Sequence, residues 1–305
     1  MIFTCGSRAN AVGGLAYLFE RFPSYTQTFC FREVGAMREL VGEVPVFSIR
    51  AGEGAERLPT IEDVVYLPRD FSLELEDGRF RRAARRWLKD LVAIWGDETE
   101  KRRIYEALWL LPRLRERGVG HVHVHFVGIA ARTAFWLRRI GGIQYSLTAH
   151  ANDIFCDEPE ERLGMLIAEA AGVVSVSDFS VAALRERYPV AAGKVRRVYN
   201  GVAMADYAEL GVRADPPVVV TVGRCIAKKG FGDLVEACGL IAGVDFRCEL
   251  IGDGPLMDGL RARVGELGIA DRVDFAGAMG IGEIGERLAR ASVFALPCVD
   301  LPGGG

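Results

Sequence analysis

Short runs rich in β-branched residues alternate with longer helix-periodic stretches along almost the whole chain, and this alternation limits the fold more than any other feature. Strand-like runs occur at residues 14–19, 44–49, 64–67, 121–126, 144–148, 173–177 and 195–199. A second series follows at 217–223, 247–252, 273–277 and 293–297, with helical segments at 230–241, 255–267 and 281–290 between them. Parallel strands joined by crossover helices produce such a pattern, so the expected class is α/β. Residues 206–217 contain Gly211 and the Asp215-Pro216-Pro217 breaker, and this places a boundary between two domains, 1–208 and 209–305. The opening residues 1–10 fit no element and are expected to form a loose extension.

Composition narrows the function. With 38 basic and 41 acidic residues the net charge is −3, which is no global field for nucleic acid. The seven cysteines stand far apart without a C-x-x-C pair, so neither a zinc module nor a disulfide framework is indicated. No run approaches the ~18 to 20 apolar residues that span a bilayer, and no signal peptide opens the chain, so a cytoplasmic location is expected. One local exception is a helical insertion at 79–117. Residues 78–118 carry 12 Lys/Arg against 6 Asp/Glu, a surplus of +6 that leaves −9 for the rest. A solvated helix pair with its apolar stripe on the core explains this first; contact of residues 79–103 with an anionic membrane face is the sharper alternative.

The segment from 218 to 237, VVVTVGRCIAKKGFGDLVEA, carries the most chemistry. A strand ends at Gly223, Arg224 and Lys229 follow in a short loop, and Gly230 opens a helix. Cations beside a helix N-terminus form an anion site suited to a diphosphate. Next comes Ile251-Gly252-Asp253-Gly254-Pro255, a glycine turn after a strand, and ligands of open α/β sheets bind beyond such strand ends. His121, His123 and His125 alternate on one strand and share a face, a geometry that zinc could use but with no fourth ligand in view, so no metal site is expected. Ser24 and Gln27 have the spacing of a helix capping box.

The order and spacing of these motifs, with Val198-Tyr199-Asn200-Gly201-Val202 and Val273-Asp274-Phe275-Ala276-Gly277, resemble the family 4 (group 1) glycosyltransferases. Phe22-Pro23, Thr26-Gln27-Thr28-Phe29, His121 to Phe126 and Thr148-Ala149-His150-Ala151-Asn152-Asp153-Ile154 are similar to the branch that makes colanic acid and other exopolysaccharides, although Gln27 stands where that branch more often has Glu. The resemblance covers about residues 14 to 299. It implies a GT-B fold, two Rossmann-like domains facing across a cleft, and retaining transfer from a UDP- or GDP-linked sugar to a saccharide or lipid-linked acceptor, without cofactor or essential metal. It further implies that Arg224 and Lys229 neutralise the donor diphosphate and that His150 meets the sugar and phosphates. Gly223, Gly252, Asp253, Gly254, Phe275 and Gly277 would border the donor, and Thr26, Gln27, Thr28 and His125 the acceptor side.

The family's Glu-x7-Glu motif lies beyond the strand at 292–297, and no Glu follows Glu286 here. Glu161 and Glu169 match its spacing but fall on a helix of the first domain, where a solvated face is expected. The second domain is therefore expected to be incomplete, with an exposed apolar edge and weak or no turnover. Two rivals stand beside this assignment. A non-catalytic sugar-nucleotide binder fits the missing glutamates. A nicotinamide dehydrogenase fits poorly, because no G-x-G-x-x-G follows the first strand.

Overall fold

A computed structural model of the chain describes residues 14–58, 60–96, 100–156, 158–202 and 211–300. The expected extension at 1–10, the domain boundary at 208/209 and the last five residues lie outside this set. The chain forms two compact units that divide between Gly201 and Val202.

The first unit is a seven-stranded parallel sheet. Its strands are β1 (Gly14–Arg21), β2 (Val46–Arg50), β3 (Val64–Tyr66), β4 (Val119–His125), β5 (Gln144–Ala149), β6 (Gly172–Ser175) and β7 (Val195–Arg197), in the order β3-β2-β1-β4-β5-β6-β7. The chain winds outward from β1 to one edge and then returns to start again at β4. The topological switch lies between β1 and β4, where the ends of adjacent strands leave a crevice for ligands. In β1 both faces are covered. Ala16 and Leu18 enter one apolar cluster with Val122, Val124, Phe135 and Trp136, while Tyr17 and Phe19 enter another with Phe22, Cys30 and Val34. This is why β1 reads as an unbroken apolar run rather than as an alternation.

Helix α1 (Thr28–Val41) connects β1 to β2. It does not begin with the expected capping box. Residues Tyr25–Gln27 first make a 3-10 turn, so Ser24 precedes that turn and its hydroxyl lies 3.4 Å from the Thr26 hydroxyl, while Gln27 stands at the head of α1 without a side-chain cap. The basic insertion is helical as expected. It consists of α3 (Gly78–Trp95) and α4 (Lys101–Glu116), preceded by a five-residue α2 (Ser72–Glu76). Arg81, Arg82, Arg85 and Arg86 are exposed on α3, while Ala84 and Leu91 are buried. On α4, Arg103 and Glu106 are buried together, so the insertion is not a purely solvated surface. Glu106 accepts from Arg102 and Arg103, each at 3.0 Å, and from Thr133 at 2.6 Å on α5 (Ile129–Gly141). The remaining helices are α6 (Asn152–Phe155), α7 (Glu160–Glu169) and α8 (Asp178–Arg187). Glu161 on α7 is exposed and Glu169 pairs with Arg138 and Arg139, as solvated helix positions do.

The second unit is a four-stranded parallel sheet in the order β10-β9-β8-β11, built from β8 (Val218–Val222), β9 (Arg247–Ile251), β10 (Val273–Gly277) and β11 (Val293–Phe294). Helices α9 (Phe231–Leu240), α10 (Met257–Glu266) and α11 (Ile281–Arg290) join them. Phe231, Leu234, Cys248 and Leu250 pack on one face, and Val218, Val220 and Ile251 with Ile284 and Leu288 on the other. The switch here lies between β8 and β11, so Gly223 and the residues after Phe294 border the crevice. No helix among the described residues is long and apolar enough to cross a membrane.

Candidate functional site

In the first unit, the ends of β1, β4 and β5 bring four polar groups into one chain of hydrogen bonds. Tyr17 on β1 donates its hydroxyl to Glu33 Oε1 at 2.7 Å. His125, the last residue of β4, sets Nε2 3.2 Å from the same oxygen, and its Nδ1 lies 3.2 Å from Nε2 of His150. Phe29 and Phe126 flank the His150 ring at 4.7 and 4.4 Å between centroids. His125 is 1% exposed, so it reaches Glu33 and His150 without intervening solvent.

This wiring sets the proton positions. Burial alone would raise the Glu33 carboxyl, but the bond and charge of His125, with His123 and Tyr17, outweigh it and hold the group at about 2. Glu33 is thus a carboxylate and accepts from His125 Nε2. When His125 gives its Nε2–H to Glu33, the lone pair on its Nδ1 can accept the Nε2–H of His150, which leaves the lone pair of His150 Nδ1 free. Burial, and then the charge of His125, push the His150 imidazole down to about 3, so it is neutral at ordinary pH. Its free nitrogen suits a hydroxyl better than a phosphate oxygen.

Asp153 holds this arrangement in place. It is 3% exposed and sits in the short α6. Its carboxylate accepts from the backbone N–H of Val127 at 2.9 Å, of His150 at 3.0 Å and of Ala151 at 2.8 Å. The loops after β4 and β5 are therefore tied to one side chain. Phe126, between them, has φ +68°, a left-handed conformation that a bulky residue rarely adopts and that surrounding packing must enforce.

The three strand histidines share a face as expected. His121 Nε2 lies 2.8 Å from Ser146 Oγ, and His123 uses Nδ1 on Ser146 at 2.7 Å and Nε2 on Thr148 at 2.9 Å. Glu33, His123 and His125 offer ligand atoms within 4.8 Å of one another, the one such grouping with metal-like geometry among the described residues. Each ring nitrogen of His123 and His125 already has a hydrogen-bond partner, so an ion there would have to displace Ser146, Thr148 or His150 from them. Thr26, Gln27 and Thr28 lie at the start of α1. Thr26 is exposed, and Thr28 accepts from Arg32 at 3.4 Å.

In the second unit, three loops are stitched together at the switch point. Cys225 N donates to Asp253 O at 2.9 Å, Leu256 N to Cys225 O at 3.1 Å, and Val299 N to Lys228 O at 3.1 Å. Two glycines make this closeness sterically feasible. A Cβ on Gly252, whose φ is +142°, would stand 1.8 Å from Gly223 O, and one on Gly230, at φ +65°, 1.7 Å from Pro297 O. Asp253 is exposed and accepts from Gly254 N at 2.7 Å. Lys229 lays its stem beside Gly223, and Arg224 is exposed. Neither cation has a side-chain partner among the described residues, and both stand just before the N-terminus of α9. Phe275 is turned elsewhere: its ring packs on the cluster of Leu250 and Val264, with the Arg261 guanidinium 4.5 Å from its centroid. Gly277 accepts at its carbonyl from Gly252 N at 2.8 Å, so it supports the glycine turn through its backbone.

Sequence motifs name His150, Arg224, Lys229 and the glycine turn as candidates, but not Glu33, nor the hydrogen-bonding roles of Tyr17 and Asp153. Glu33 stands 92 positions from His125 on an ordinary amphipathic helix, and only the pairing of β1 with β4 joins them.

Residues 27–206 match the family described as Glycosyltransferase Family 4, and residues 205–304 that described as Glycosyl transferases group 1. The chain is similar to the lipopolysaccharide core biosynthesis glycosyltransferase LpsE of Rhizobium meliloti, 42% identical over 76 residues that cover 25% of this chain and 22% of LpsE. It is also similar to the putative colanic acid biosynthesis glycosyltransferase WcaL of Salmonella typhimurium, 25% identical over 93% of this chain and 75% of that one. The chain thus spans between 22% and 57% of the length of the first two curated relatives. Among solved structures, Anabaena Alr3699/HepE in complex with UDP superposes with a TM-score of 0.61 at 15% identity, covering 95% of this chain and 75% of HepE, a likeness of fold.

Proposed function

The chain belongs to glycosyltransferase family 4 with a group 1 second half, and from that premise we propose that it moves a sugar from a nucleoside-diphosphate donor to a hydroxyl of a saccharide or lipid-linked acceptor in cell-surface polysaccharide assembly. The observation that carries this proposal is the pair of unpartnered cations, Arg224 and Lys229, beside the glycine-stitched loops and the N-terminus of α9. When the bond between the anomeric carbon and the β-phosphate oxygen breaks, that oxygen takes up negative charge. Fixed cations and backbone N–H groups aimed at it stabilise the transition state without reorganisation. The acceptor hydroxyl attacks the same face and passes its proton to the departing phosphate oxygen, so the anomeric configuration is retained.

In this proposal the first unit binds the acceptor, and neutral His150 accepts a hydrogen bond from a sugar hydroxyl through Nδ1. Tyr17, Glu33, His125 and Asp153 set its ring and tautomer. HepE was solved with UDP, which makes a UDP-sugar the first donor to try. Location at the inner membrane face, with the exposed Arg81, Arg82, Arg85 and Arg86 on anionic lipid, belongs to the same proposal. It predicts that the protein sediments with phosphatidylglycerol vesicles and that the quadruple Gln variant does not.

The transfer itself is tested by incubating the protein with UDP-, GDP- and ADP-sugars and a saccharide acceptor, with and without EDTA, and reading the product anomer by NMR. Retained configuration that survives EDTA supports the proposal. An inverted product refutes the front-face step.

A further inference from the structure

A cavity of about 720 Å³ opens at the carboxyl ends of β1, β2 and β3 in the first unit. That is an ordinary volume for a small-molecule site. Its floor is apolar, with Ile49 and Leu67 buried beneath it. Tyr66, 45% exposed, forms a wall and is fixed by a hydrogen bond from its hydroxyl to Phe22 O. The charged lining consists of four arginines, Arg21, Arg50, Arg69 and Arg102, and of no carboxylate.

The arrangement of these arginines is unusual. Arg21 and Arg50 are register partners on adjacent parallel strands, so two like charges stand side by side, which disfavours the pairing unless something negative lies between them. Arg21 is steadied at 2.8 Å by Glu53, whose side chain is 85% exposed. Arg102 is locked by Glu106 and by the carbonyls of Arg69 and Pro68, at 3.0, 2.8 and 3.0 Å, which leaves one N–H free on each terminal nitrogen. Arg50 and Arg69 have no side-chain partner among the described residues. Asp70, next in sequence, is turned to the N–H and hydroxyl of Ser72.

Arginines from four separate segments line one space, and a carboxylate with two oxygens cannot serve them all. A phosphate or diphosphate can, since each Arg fork takes two oxygens of a tetrahedral group. The apolar floor and Tyr66 would meet the C–H face of an attached sugar. In a parallel sheet all carboxyl ends lie along one edge, so the cavity shares its edge with His125 and His150.

We propose that this cavity binds the phosphate or diphosphate of a phosphorylated acceptor saccharide. The proposal deepens the transferase assignment and rests on it for the word acceptor; the binding of a phosphate group does not.

Isothermal titration of the purified protein tests it, with glucose 1-phosphate and with farnesyl diphosphate-linked N-acetylglucosamine as probes. Each is titrated with and without saturating UDP, so that the cations of the second unit are occupied in one arm. The wild type is expected to bind at least one probe in the presence of UDP, and the Arg50→Ala/Arg69→Ala variant to bind it about tenfold or more weakly, with unchanged melting and unchanged UDP affinity. Preference for glucose 1-phosphate assigns a soluble phosphorylated acceptor, and preference for the other probe a lipid-linked one. Failure of both probes to bind the wild type, or equal binding by the variant, overturns the proposal. Phosphate binding without binding of UDP, GDP or ADP would keep this site and sink the transferase assignment. UDP binding without phosphate binding would do the reverse.

Discussion

The Nε2 atom of His125 lies 3.2 Å from the Glu33 carboxylate, and its Nδ1 lies 3.2 Å from His150, so the acid on α1 sets the tautomer of a histidine it does not touch. Glu33→Gln keeps the size of the side chain but lets its amide donate, which removes the requirement that His125 donate through Nε2. The expected result is a fall in kcat of about ten- to a hundredfold with little change in donor KM, as general acid–base and positioning losses are of that order. Nitrogen NMR of the imidazoles should show His150 losing its single tautomer. An unchanged spectrum would separate Glu33 from the site.

Acid should destabilise the fold in two overlapping windows. Burial, and then the charge of His125, hold His123 and His150 at about 3, and burial lowers His121 as well. Between pH 6.5 and 3 the unfolded chain therefore binds protons that the folded chain refuses, and stability falls as pH falls. Glu33, held at about 2, adds a loss as pH drops from about 4.5 towards 2. Urea midpoints measured from pH 8 to 3 should decline from about 6.5 downward, and His150→Asn should make that decline shallower. A midpoint flat to pH 4 would contradict the neutral histidines.

Asp153→Ala removes one acceptor from three backbone N–H groups at a 3% exposed site. Buried donors left without a partner cost about 1–3 kcal/mol each, reduced where the loop relaxes, so a total loss of roughly 2–4 kcal/mol is expected in urea denaturation. Asp153→Asn, which retains an acceptor oxygen, should lose less.

Glu106→Ala tests the packing of the basic insertion. It leaves Arg103 buried without its carboxylate, and breaking one side of such a pair costs about 3–5 kcal/mol. Thermal melting should drop sharply, whereas alanine at the exposed Arg82 should leave it within experimental error.

Most of the strand positions were legible in the sequence because a parallel sheet buried on both faces gives continuous apolar runs, as in Leu15 to Phe19, punctuated by glycines such as Gly223 and Gly252. The glycine turn and the two cations were legible because they lie close in sequence and report a local geometry. What was not legible depends on pairing at a distance. Glu33 gains its meaning from β1 beside β4, and Arg21, Arg50, Arg69 and Arg102 gather only when four segments reach one edge. The Ser24–Gln27 spacing misled for the opposite reason: a local pattern fits a cap, but the chain makes a 3-10 turn first. The charge surplus at 78–118 hid Glu106, because a net count cannot show which members of a mixed helix are buried.

Arg224 and Lys229 hold the nucleoside diphosphate in the proposed transfer, and the direct measurement is calorimetric titration of UDP and GDP into the wild type and the Arg224→Ala and Lys229→Ala variants. Binding of at least one nucleotide by the wild type is predicted, weakened about tenfold or more by either substitution with no change in melting temperature. Binding that both variants retain undiminished, or no binding of either nucleotide by the wild type, would contradict it.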